Sequence, residues 1–428
     1  MRFLGIGDSC DLGALYLRLI AEGHQVKVWI SNALCRGTLA GLVEQVADWK
    51  DELAWIKQQD GIILFENVAK GRGELQDELR QRGFRVVGGS AFGDKLENDR
   101  GFAQKLLAEQ GLNIAATWEF DDRAAAMLFL QRRPARYVLK FNGEASVDNY
   151  VGRLADGSDV RAYLANLPSK QDGVTFILME FVDGVEMGVG AYFNTRNFIT
   201  PACLDWEHKR FFPGDLGELT GEMGTVTTYR RTQSFFKRTL GMLEGILRDH
   251  GHCGYVNINT IVNERGIWPL EFTCRFGYPG FAILDPLQET RWGDLFQAMV
   301  SGTDISFATR SGFCVGIVLT TPPFPYSRPT IAEPVGLPVI FDGDLSAEDQ
   351  RHLHYGEVGL KGEQLVTSGV CGYTMVVTGT ADNVSEAQQR ANALADRVLV
   401  PNVRYRRDIG TQLLHRDYSR VERLGLLD

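Results

Sequence analysis

The sequence lacks the features that mark several large classes of protein. Its seven cysteines are odd in number, scattered and without a CxxC pair, so neither a disulfide framework nor a structural zinc site is expected. No apolar run is long enough to span a bilayer, and the first residues form too short a run for a signal peptide. Acidic residues outnumber basic ones, 54 to 45, which argues against a nucleic-acid surface. We therefore expect a cytoplasmic protein with neither nucleic-acid nor membrane partners.

The chain is long enough for two to four packed units, because 428 residues exceed what a single core supports. In the first ninety or so residues, apolar runs at residues 3–6, 25–30, 61–65 and 85–87 alternate with segments of helical spacing. Strands that alternate with helices predict right-handed crossovers and a parallel sheet. The beginning of the chain is therefore predicted to be an α/β domain.

Strands dominate the middle of the sequence. Runs at residues 137–140 and 175–180 predict buried strands, and residues 257–272 predict a hairpin that turns at residues 263–266. Helical spacing predicts two long helices, one over residues 96–112 and one over residues 235–247.

The predicted hairpin carries polar side chains on one face. Asn257 and Asn259 share a face of its first strand, and Glu271 and Thr273 share a face of its second. Mg²⁺ prefers oxygen ligands, usually one or two carboxylates plus substrate phosphates, so Glu271 with Asn259 could hold such an ion. For the hairpin alone, a solvated strand face is the simpler interpretation.

Two other segments are suited to binding a nucleotide. The strand ending at Glu180 offers backbone groups to which an adenine ring could hydrogen-bond, and Glu186 could bind the ribose hydroxyls. A strand followed by a turn at residues 183–184 explains the same residues. Lys140 ends the preceding strand, where it could bind a phosphate. The alternative is an ordinary surface lysine at a strand end. Residues 208–210 could line a phosphate or carboxylate site, or be a solvated charge run.

Four motifs occur in order and resemble one known family. Residues 179–184, 207–210, 220–224 and 270–277 resemble the EEFLDG, DHKR, TGGMG and EFNCRFGDPE segments of glycinamide ribonucleotide synthetase, also called phosphoribosylamine–glycine ligase, an ATP-grasp family. Residues 96–97 and 405–410 resemble that family's LEGSK and YRKDIG. The resemblance runs nearly end to end.

The resemblance implies a fold of the α/β and α+β classes. It implies an N-terminal parallel-sheet domain over residues 1–95, preceding the ATP-grasp domain. That domain would span residues 96–310 as two subdomains with ATP between them, the mobile one about 115–185. A small C-terminal α+β domain would cover residues 311–428.

The resemblance also implies a reaction. ATP would phosphorylate a carboxylate to an acyl phosphate, which an amine then attacks, as in purine biosynthesis. The implied cofactors are ATP with Mg²⁺ or Mn²⁺. The implied partners are small molecules, namely an amino acid such as glycine and an amine, bound by a monomer or homodimer.

Residue roles carry over from the matching motifs. The implied catalytic residues are Arg275, Lys140, His208 and Lys209. The residues implied to bind ATP are Arg100, Lys140, Glu180, Phe181, Val182 and Glu186. The implied metal ligands are Glu271, Thr273 and Asn259.

Several segments depart from the family pattern. Residues 7–13 replace the phosphate-binding GNGGREH loop and put Asp11 where the arginine stands, which disfavours phosphoribosylamine as the amine. Residues 144–150 lack the lysine of the family's LAAGKGV loop. Thr273 replaces an asparagine metal ligand, and Tyr278 and Gly280 replace two acids. These changes favour either a ligase with an altered amine or a catalytically weak ATP-binding paralogue with a regulatory role.

A third hypothesis is a dinucleotide-binding oxidoreductase, based on Gly5 and Gly7. A lone GxG is weak, and Cys10 stands where the third glycine of GxGxxG belongs. We therefore rank this hypothesis last.

Overall fold

The computed structural model describes residues 1–66, 71–141, 149–167 and 175–428. They form two compact units, one of residues 1–105, 186–260 and 270–428 and the other of residues 106–185 and 261–269. Most of the altered phosphate loop, residues 144–148, lies outside the described residues. Among the described residues, no helix has the length and apolarity that crossing a membrane requires. The domain boundaries given above stay a prediction.

The first unit begins with a five-stranded sheet, as predicted. Every pair in it is parallel, and the strand order is β3-β2-β1-β4-β5. Its strands are β1 (Arg2–Gly7), β2 (Gln25–Ile30), β3 (Glu44–Gln45), β4 (Ile62–Phe65) and β5 (Arg85–Val87). The helices of this region are α1 (Gly13–Ala21), α2 (Leu53–Lys57), α3 (Arg72–Gln81), α4 (Ala91–Asn98) and α5 (Arg100–Glu109).

Packing explains the two glycines of β1. A Cβ atom at Gly5 would collide with the ring of Tyr16, and one at Gly7 would collide with the carboxyl group of Glu66. Both positions are therefore restricted to glycine by close approach within the protein itself. The pair needs no bound dinucleotide to account for it.

The second unit is built on an antiparallel sheet of order β6-β9-β7-β8. Its strands are β6 (Thr117–Phe120), β7 (Tyr137–Phe141), β8 (Tyr150–Val151) and β9 (Phe176–Glu180), with helices α6 (Arg123–Arg132) and α7 (Ser158–Ala165). Tyr137, Leu139 and Phe141 alternate along β7 and pack with Leu130 and Val160 of the helices. One face of the sheet is thereby buried against both helices.

The rest of the chain contributes an eight-stranded sheet of order β16-β15-β10-β11-β14-β17-β22-β19. Its strands are β10 (Val185–Asn194), β11 (Phe198–Glu207), β14 (Gly224–Thr228), β15 (Cys253–Asn263), β16 (Gly266–Thr273), β17 (Phe313–Thr320), β19 (Leu353–Tyr355) and β22 (Tyr373–Ala381). Three two-stranded sheets pair β12 (Arg210–Phe212) with β13 (Leu216–Leu219), β18 (Ile340–Phe341) with β23 (Val398–Leu399), and β20 (Val358–Lys361) with β21 (Gln364–Thr367). The helices are α8 (Gln233–Lys237), α9 (Glu244–Asp249), α10 (Gly280–Leu284), α11 (Trp292–Ser301), α12 (Ala347–Arg351), α13 (Val384–Ala395) and α14 (Tyr418–Arg423).

The helix predicted over residues 96–112 is wrong as a single element, because Asp99 divides it. The N–H of Asp99 donates to the carbonyl of Lys95 and ends α4. The Asp99 carboxylate then accepts the N–H of Phe102 at 2.9 Å, in the first turn of α5. A short acidic side chain that bonds the backbone in this way favours a helix start over a helix interior.

The helix predicted over residues 235–247 is also divided. The Thr239 hydroxyl donates to the carbonyl of Phe235 at 2.6 Å, and the backbone leaves the helical region at Thr239. Threonine hydroxyls compete in this way with helical hydrogen bonds. The result is α8, a 3₁₀ turn over Leu240–Leu243, and α9.

Candidate active site

One face of the eight-stranded sheet collects polar side chains. Residues paired across antiparallel strands share a face, and Asp205 of β11 pairs with Gly188 of β10 and with Thr227 of β14. Two residues along β11, Glu207 pairs with Thr225. Because side chains alternate along a strand, all of these residues lie on the same face.

A lysine and three carboxylates meet on this face. The Lys209 ammonium donates to Glu271 at 2.9 Å and lies 3.0 Å from Glu207 and 3.6 Å from Glu186. These carboxylates come from strands β16, β11 and β10. We call Lys209, Glu186, Glu207, Glu271 and the neighbouring Asn259 the lysine–carboxylate cluster.

Charge dominates the protonation of Lys209. Burial alone would lower its pKa, but the carboxylates of Glu207, Glu271 and Glu186 outweigh that effect and raise the pKa well above its ordinary value. Burial raises the pKa of Glu207, and the Lys209 ammonium opposes that rise. Lys209 is therefore an ammonium ion at neutral pH.

The cluster fits a divalent cation. The amide nitrogen of Asn259 donates to Glu186 at 2.8 Å and to Glu207 at 3.3 Å. Its amide oxygen is buried and has no hydrogen-bond partner among the described residues. That oxygen and the carboxylate of Glu271 are the ligand types that Mg²⁺ takes.

The protein supplies only part of such a coordination shell. Within the described ranges, no three histidine, cysteine, aspartate or glutamate side chains are arranged to hold a metal ion by themselves. Mg²⁺ usually completes its shell with water and substrate phosphates, so the donor set suits a nucleotide-bound ion. Thr273, the third predicted ligand, lies two residues beyond Glu271 on β16 and lines a neighbouring cavity.

Two arginines predicted to act on phosphates each have a carboxylate partner. Arg100 opens α5, and its guanidinium lies 3.6 Å from Glu271, with both side chains about two-fifths exposed. Arg275 is held by Glu97, which accepts from Nε at 3.1 Å and lies 2.9 Å from a terminal nitrogen. Glu97 also accepts the N–H of Cys274, at 2.9 Å. The guanidinium of Arg275 is therefore oriented by a carboxylate on α4.

His208 has different surroundings from those of Lys209. Its Nε2 accepts the N–H of Gly410 at 3.2 Å, and its backbone N–H donates to Glu222 at 2.9 Å. Burial and then the nearby charge of Arg406 lower its pKa, so the imidazole is neutral. A catalytic role for His208 stays a prediction, and its observed contacts tie β11 to the C-terminal segment.

A cavity, here called the acidic cavity, opens on the same sheet face. Its volume is about 50 Å³, and it is partly open to solvent. Cys203, Asp205 and Glu207 of β11 and Thr225 and Thr227 of β14 lie on one side. The remaining lining residues are Glu222, Tyr255, Asn257, Thr273, Gly277, Tyr278, Pro279, Gly280, Ile283 and Leu284.

The carboxyl groups of the acidic cavity repel one another. Burial and then the charge of Glu207 raise the pKa of Asp205 to about 8. The same two causes raise the pKa of Glu222 well above its ordinary value. Asp205 accepts a hydrogen bond from the Asn257 amide at 2.6 Å through one oxygen, whereas its other oxygen is buried without a partner among the described residues.

The N-terminal sheet ends in a second acidic group. Glu66 follows β4 and accepts the hydroxyl of Tyr16 at 2.6 Å and the N–H of Asp11 at 2.9 Å. Burial and then the charge of Asp11 raise the pKa of Glu66 to about 8. Asp8 is paired with Arg72 at 2.9 Å. Residues 7–13, which replace the family's phosphate-binding loop, thus present carboxyl groups, and the nearby Arg72 is already paired with Asp8.

The predicted nucleotide residues of the second unit lie on neighbouring strands. Lys140 pairs with Ile177, and Glu180 pairs with Tyr137, so the two side chains are on opposite faces of the sheet. Glu180 lies 3.8 Å from Arg265. The ring of Phe181 packs under the guanidinium of Arg136, 3.3 Å from the ring centroid, and Val182 is buried.

Sequence reasoning missed four side chains of the first unit's site. Asp205 and Glu207 alternate on β11, which was a readable signal that two carboxylates share a face. Glu97 and Glu222 stand inside quoted motifs but received no role. Their contacts with Arg275 and His208 join residues far apart in the chain, which spacing does not reveal.

Known proteins match the chain in both sequence and fold. The family model for the phosphoribosylglycinamide synthetase ATP-grasp (A) domain matches residues 98–281. A phosphoribosylamine–glycine ligase of Pseudomonas aeruginosa is 28% identical over 359 residues, which cover 80% of each chain. Another, from Streptococcus pneumoniae, is 26% identical over 435 residues, covering 97% of this chain and all of the other.

The fold agrees with these sequence matches. The crystal structure of phosphoribosylamine–glycine ligase from Thermotoga maritima superposes with a TM-score of 0.72 at 20% identity, covering 96% of this chain and all of that one. The predicted fold class and the resemblance found in the motifs are thereby confirmed. Residues 98–281 thus match an ATP-grasp domain of the phosphoribosylglycinamide synthetase type, and along nearly its whole length the chain is similar to the phosphoribosylamine–glycine ligases.

Proposed function

We propose that the protein is an ATP-dependent ligase that joins a carboxylate to an amine. The lysine–carboxylate cluster carries this proposal. Glu271 and Asn259 supply oxygen ligands beside the Lys209 ammonium group, and all three lie in the range that the family model matches. A dead paralogue would have no need to keep a partly buried lysine among three carboxylates, since removing such charges from water is costly.

The reaction follows from the family resemblance. A carboxylate oxygen attacks the γ-phosphorus of ATP, ADP leaves, and an acyl phosphate forms. The amine nitrogen then attacks the acyl carbon, phosphate leaves, and the nitrogen loses a proton to give an amide. The protein's contribution is to hold the reactants in line and to offset the negative charge of the phosphates.

The motif residues of the first unit have defined proposed roles. In the first unit, Glu271 and Asn259 would hold Mg²⁺, which offsets phosphate charge when bound. Arg275, aligned by Glu97, would contact the transferring phosphoryl group, and Arg100 would contact ATP. Glu186 would bind the ribose.

In the second unit, the backbone of residues 180–182 would read adenine and Lys140 would contact phosphates. Hydrogen bonds from backbone groups to adenine do not depend on the face to which the Glu180 side chain points. The opposite orientations of Lys140 and Glu180 are therefore compatible with these roles.

The amine is proposed to differ from phosphoribosylamine. Asp8 and Asp11 stand where a phosphate would have to bind, and Arg72 is already paired with Asp8. Carboxylates repel a phosphate, so the N-terminal sheet favours a neutral or cationic amine.

Release of ADP in the presence of Mg²⁺ tests the function. The purified chain is supplied with ATP, Mg²⁺ and pairs drawn from a panel of amino acids and amines, phosphoribosylamine among them. Release that needs both an acid and an amine is the expected result. Measurable ATP binding with no release for any pair would favour the weak ATP-binding paralogue instead.

A further inference from the structure

Lys209 lies at the junction between the eight-stranded sheet and the hairpin of β12 and β13. β11 ends at Glu207 and β12 begins at Arg210, so Lys209 belongs to neither strand. Its carbonyl accepts the backbone N–H of Thr220 at 2.8 Å and the Thr220 hydroxyl at 2.7 Å, directly after β13. A displacement of the hairpin would therefore move the backbone of Lys209.

The C-terminal sequence motif holds this hairpin at its first strand and at its turn. The guanidinium of Arg406 donates to the carbonyl of Arg210 at 2.9 Å and to the carboxylate of Asp215 at 2.9 Å. The carboxylate of Asp408 accepts the backbone N–H of Gly214 at 2.9 Å. We call Arg406 and Asp408 the C-terminal clamp.

The geometry of the C-terminal clamp favours fixed direction over stability. Arg406 is 1% exposed, and its Nε and a terminal nitrogen donate to the two oxygens of Asp408 at 2.8 Å and 2.7 Å. Such a fork fixes the plane of the guanidinium, which a lysine could not do. Apolar residues of similar size often stabilise a fold as well as a buried ion pair does, so stability alone does not account for the clamp.

The turn of the hairpin depends on the same contacts. Asp215 has a φ of +57°, in the left-handed region that few residues other than glycine adopt. One of its carboxylate oxygens accepts from Arg406, and the other accepts from the amide of Gln412 at 2.6 Å. The C-terminal segment therefore offsets the cost of this turn.

A further contact fixes the other side of Lys209. The neutral imidazole of His208 accepts the N–H of Gly410 at 3.2 Å. The backbone N–H of His208 donates to the carbonyl of Gly224 at 2.9 Å, so the sheet and the C-terminal segment meet at this residue. The residues before and after Lys209 are thus both bound by residues 406–410.

We propose that the C-terminal clamp positions Lys209 within the lysine–carboxylate cluster, with Arg406 and Asp408 as positioning residues. The clamp fixes the backbone from which the ammonium group reaches Glu271 at 2.9 Å and Glu207 at 3.0 Å. A role for the clamp in turnover rests on the proposed ligase function. The positioning of Lys209 does not, because these ion pairs form without substrate.

A double-mutant cycle on folding stability tests the positioning without any substrate. The proteins are the wild type, Arg406→Gln, Lys209→Met and the double variant, and denaturant unfolding gives the equilibrium constant of each. Arg406 and Lys209 share no hydrogen bond or ion pair within the described ranges, so independent sites would give additive effects. We expect the effect of Lys209→Met on the unfolding constant to differ by roughly threefold or more between the wild-type and Arg406→Gln backgrounds.

The same cycle in ADP release connects the clamp to the reaction. Arg406→Gln should lower kcat by roughly tenfold or more in the otherwise wild-type enzyme, because a small misplacement of a catalytic group is costly. It should scarcely lower kcat further once Lys209→Met is present, because the clamp acts through Lys209. A purely structural clamp would lower kcat by the same factor in both backgrounds.

Arg397→Gln is the matched control. Arg397 also donates to one carboxylate and two backbone carbonyls, those of Asp349, Asp342 and Asp344. None of these residues belongs to the lysine–carboxylate cluster. The effects of Arg397→Gln on the unfolding constant and on kcat should therefore be additive with those of Lys209→Met.

Two results would overturn the proposal. One is an unfolding cycle in which Arg406→Gln and Lys209→Met are additive. The other is a kcat that Arg406→Gln lowers by the same factor with and without Lys209. Should Arg406→Gln fail to fold, Asp408→Asn keeps the shape of its side chain and carries both cycles. A coupled unfolding cycle with no ADP release from the wild type would instead remove only the ligase function.

Discussion

The ammonium group of Lys209 lies 2.9 Å from the carboxylate of Glu271, the residue proposed to hold Mg²⁺. Lys209 also contacts Glu207 at 3.0 Å, so one cation balances carboxylates from two strands. The protein can thus hold several acids close together without their mutual repulsion opening the sheet face.

Lys209→Met should abolish most turnover while the chain stays folded. Loss of the ammonium group removes a charge that is partly screened by solvent, since the side chain is about a quarter exposed. We expect kcat to fall by roughly 100-fold or more, as when one electrostatic stabiliser is deleted. Steady-state ADP release and circular dichroism measure the two effects.

Lys27→Met is the matched control for this variant. Lys27 lies on β2, 2.8 Å from Glu52 and 3.3 Å from Glu44, and is similarly exposed. It should lose a comparable ion pair without losing turnover. Equal kcat values for Lys209→Met and the wild type would refute a role for Lys209 in the reaction.

Glu97 should act only through Arg275. The carboxylate aligns the guanidinium at 2.9 Å, so Glu97→Gln, Arg275→Lys and the double variant form a cycle. We expect kcat/KM to show a coupling of about 1–3 kcal/mol between the two changes. Additive effects would mean that Glu97 acts independently of Arg275.

Glu66 should make stability fall as pH rises. Its pKa is raised from 4.5 to about 8 in the folded protein, so between these values the folded state holds one proton more than the unfolded state. Stability is then highest below about pH 4.5 for this group and declines by up to about 1.4 kcal/mol per pH unit toward pH 8.

Glu66→Gln should remove that contribution and keep the side chain's shape. Calorimetry at several values from pH 5 to 8 should show the variant gaining stability over the wild type as pH increases. A difference between the two proteins that does not change with pH would show that Glu66 is ionised normally.

The sequence predicted elements with local signals better than contacts between distant segments. The apolar runs of β1, β2, β4 and β5 and the β15–β16 hairpin were readable because their periodicity or turn lies within a few residues. Breaks at Asp99 and Thr239 were missed, because a side chain that bonds its own backbone overrides helical spacing.

The site was predictable by residue type and not by arrangement. Glu271 and Asn259 were identified from their alternation on the hairpin. The contact of Lys209 with Glu271 joins residues 62 apart, and that of Glu97 with Arg275 joins residues 178 apart. Such pairings depend on strand order in the sheet, which spacing along the chain does not specify.

The dependence of ATP affinity on Mg²⁺ in Glu271→Gln tests the central claim most directly. A non-hydrolysable ATP analogue is titrated calorimetrically with and without Mg²⁺ into the wild type, Glu271→Gln and the control Glu289→Gln, whose carboxylate pairs with Arg310 at 3.7 Å on the surface. We predict that Mg²⁺ tightens binding to the wild type and the control by about tenfold or more and scarcely affects Glu271→Gln. An undiminished Mg²⁺ effect in Glu271→Gln would contradict the account.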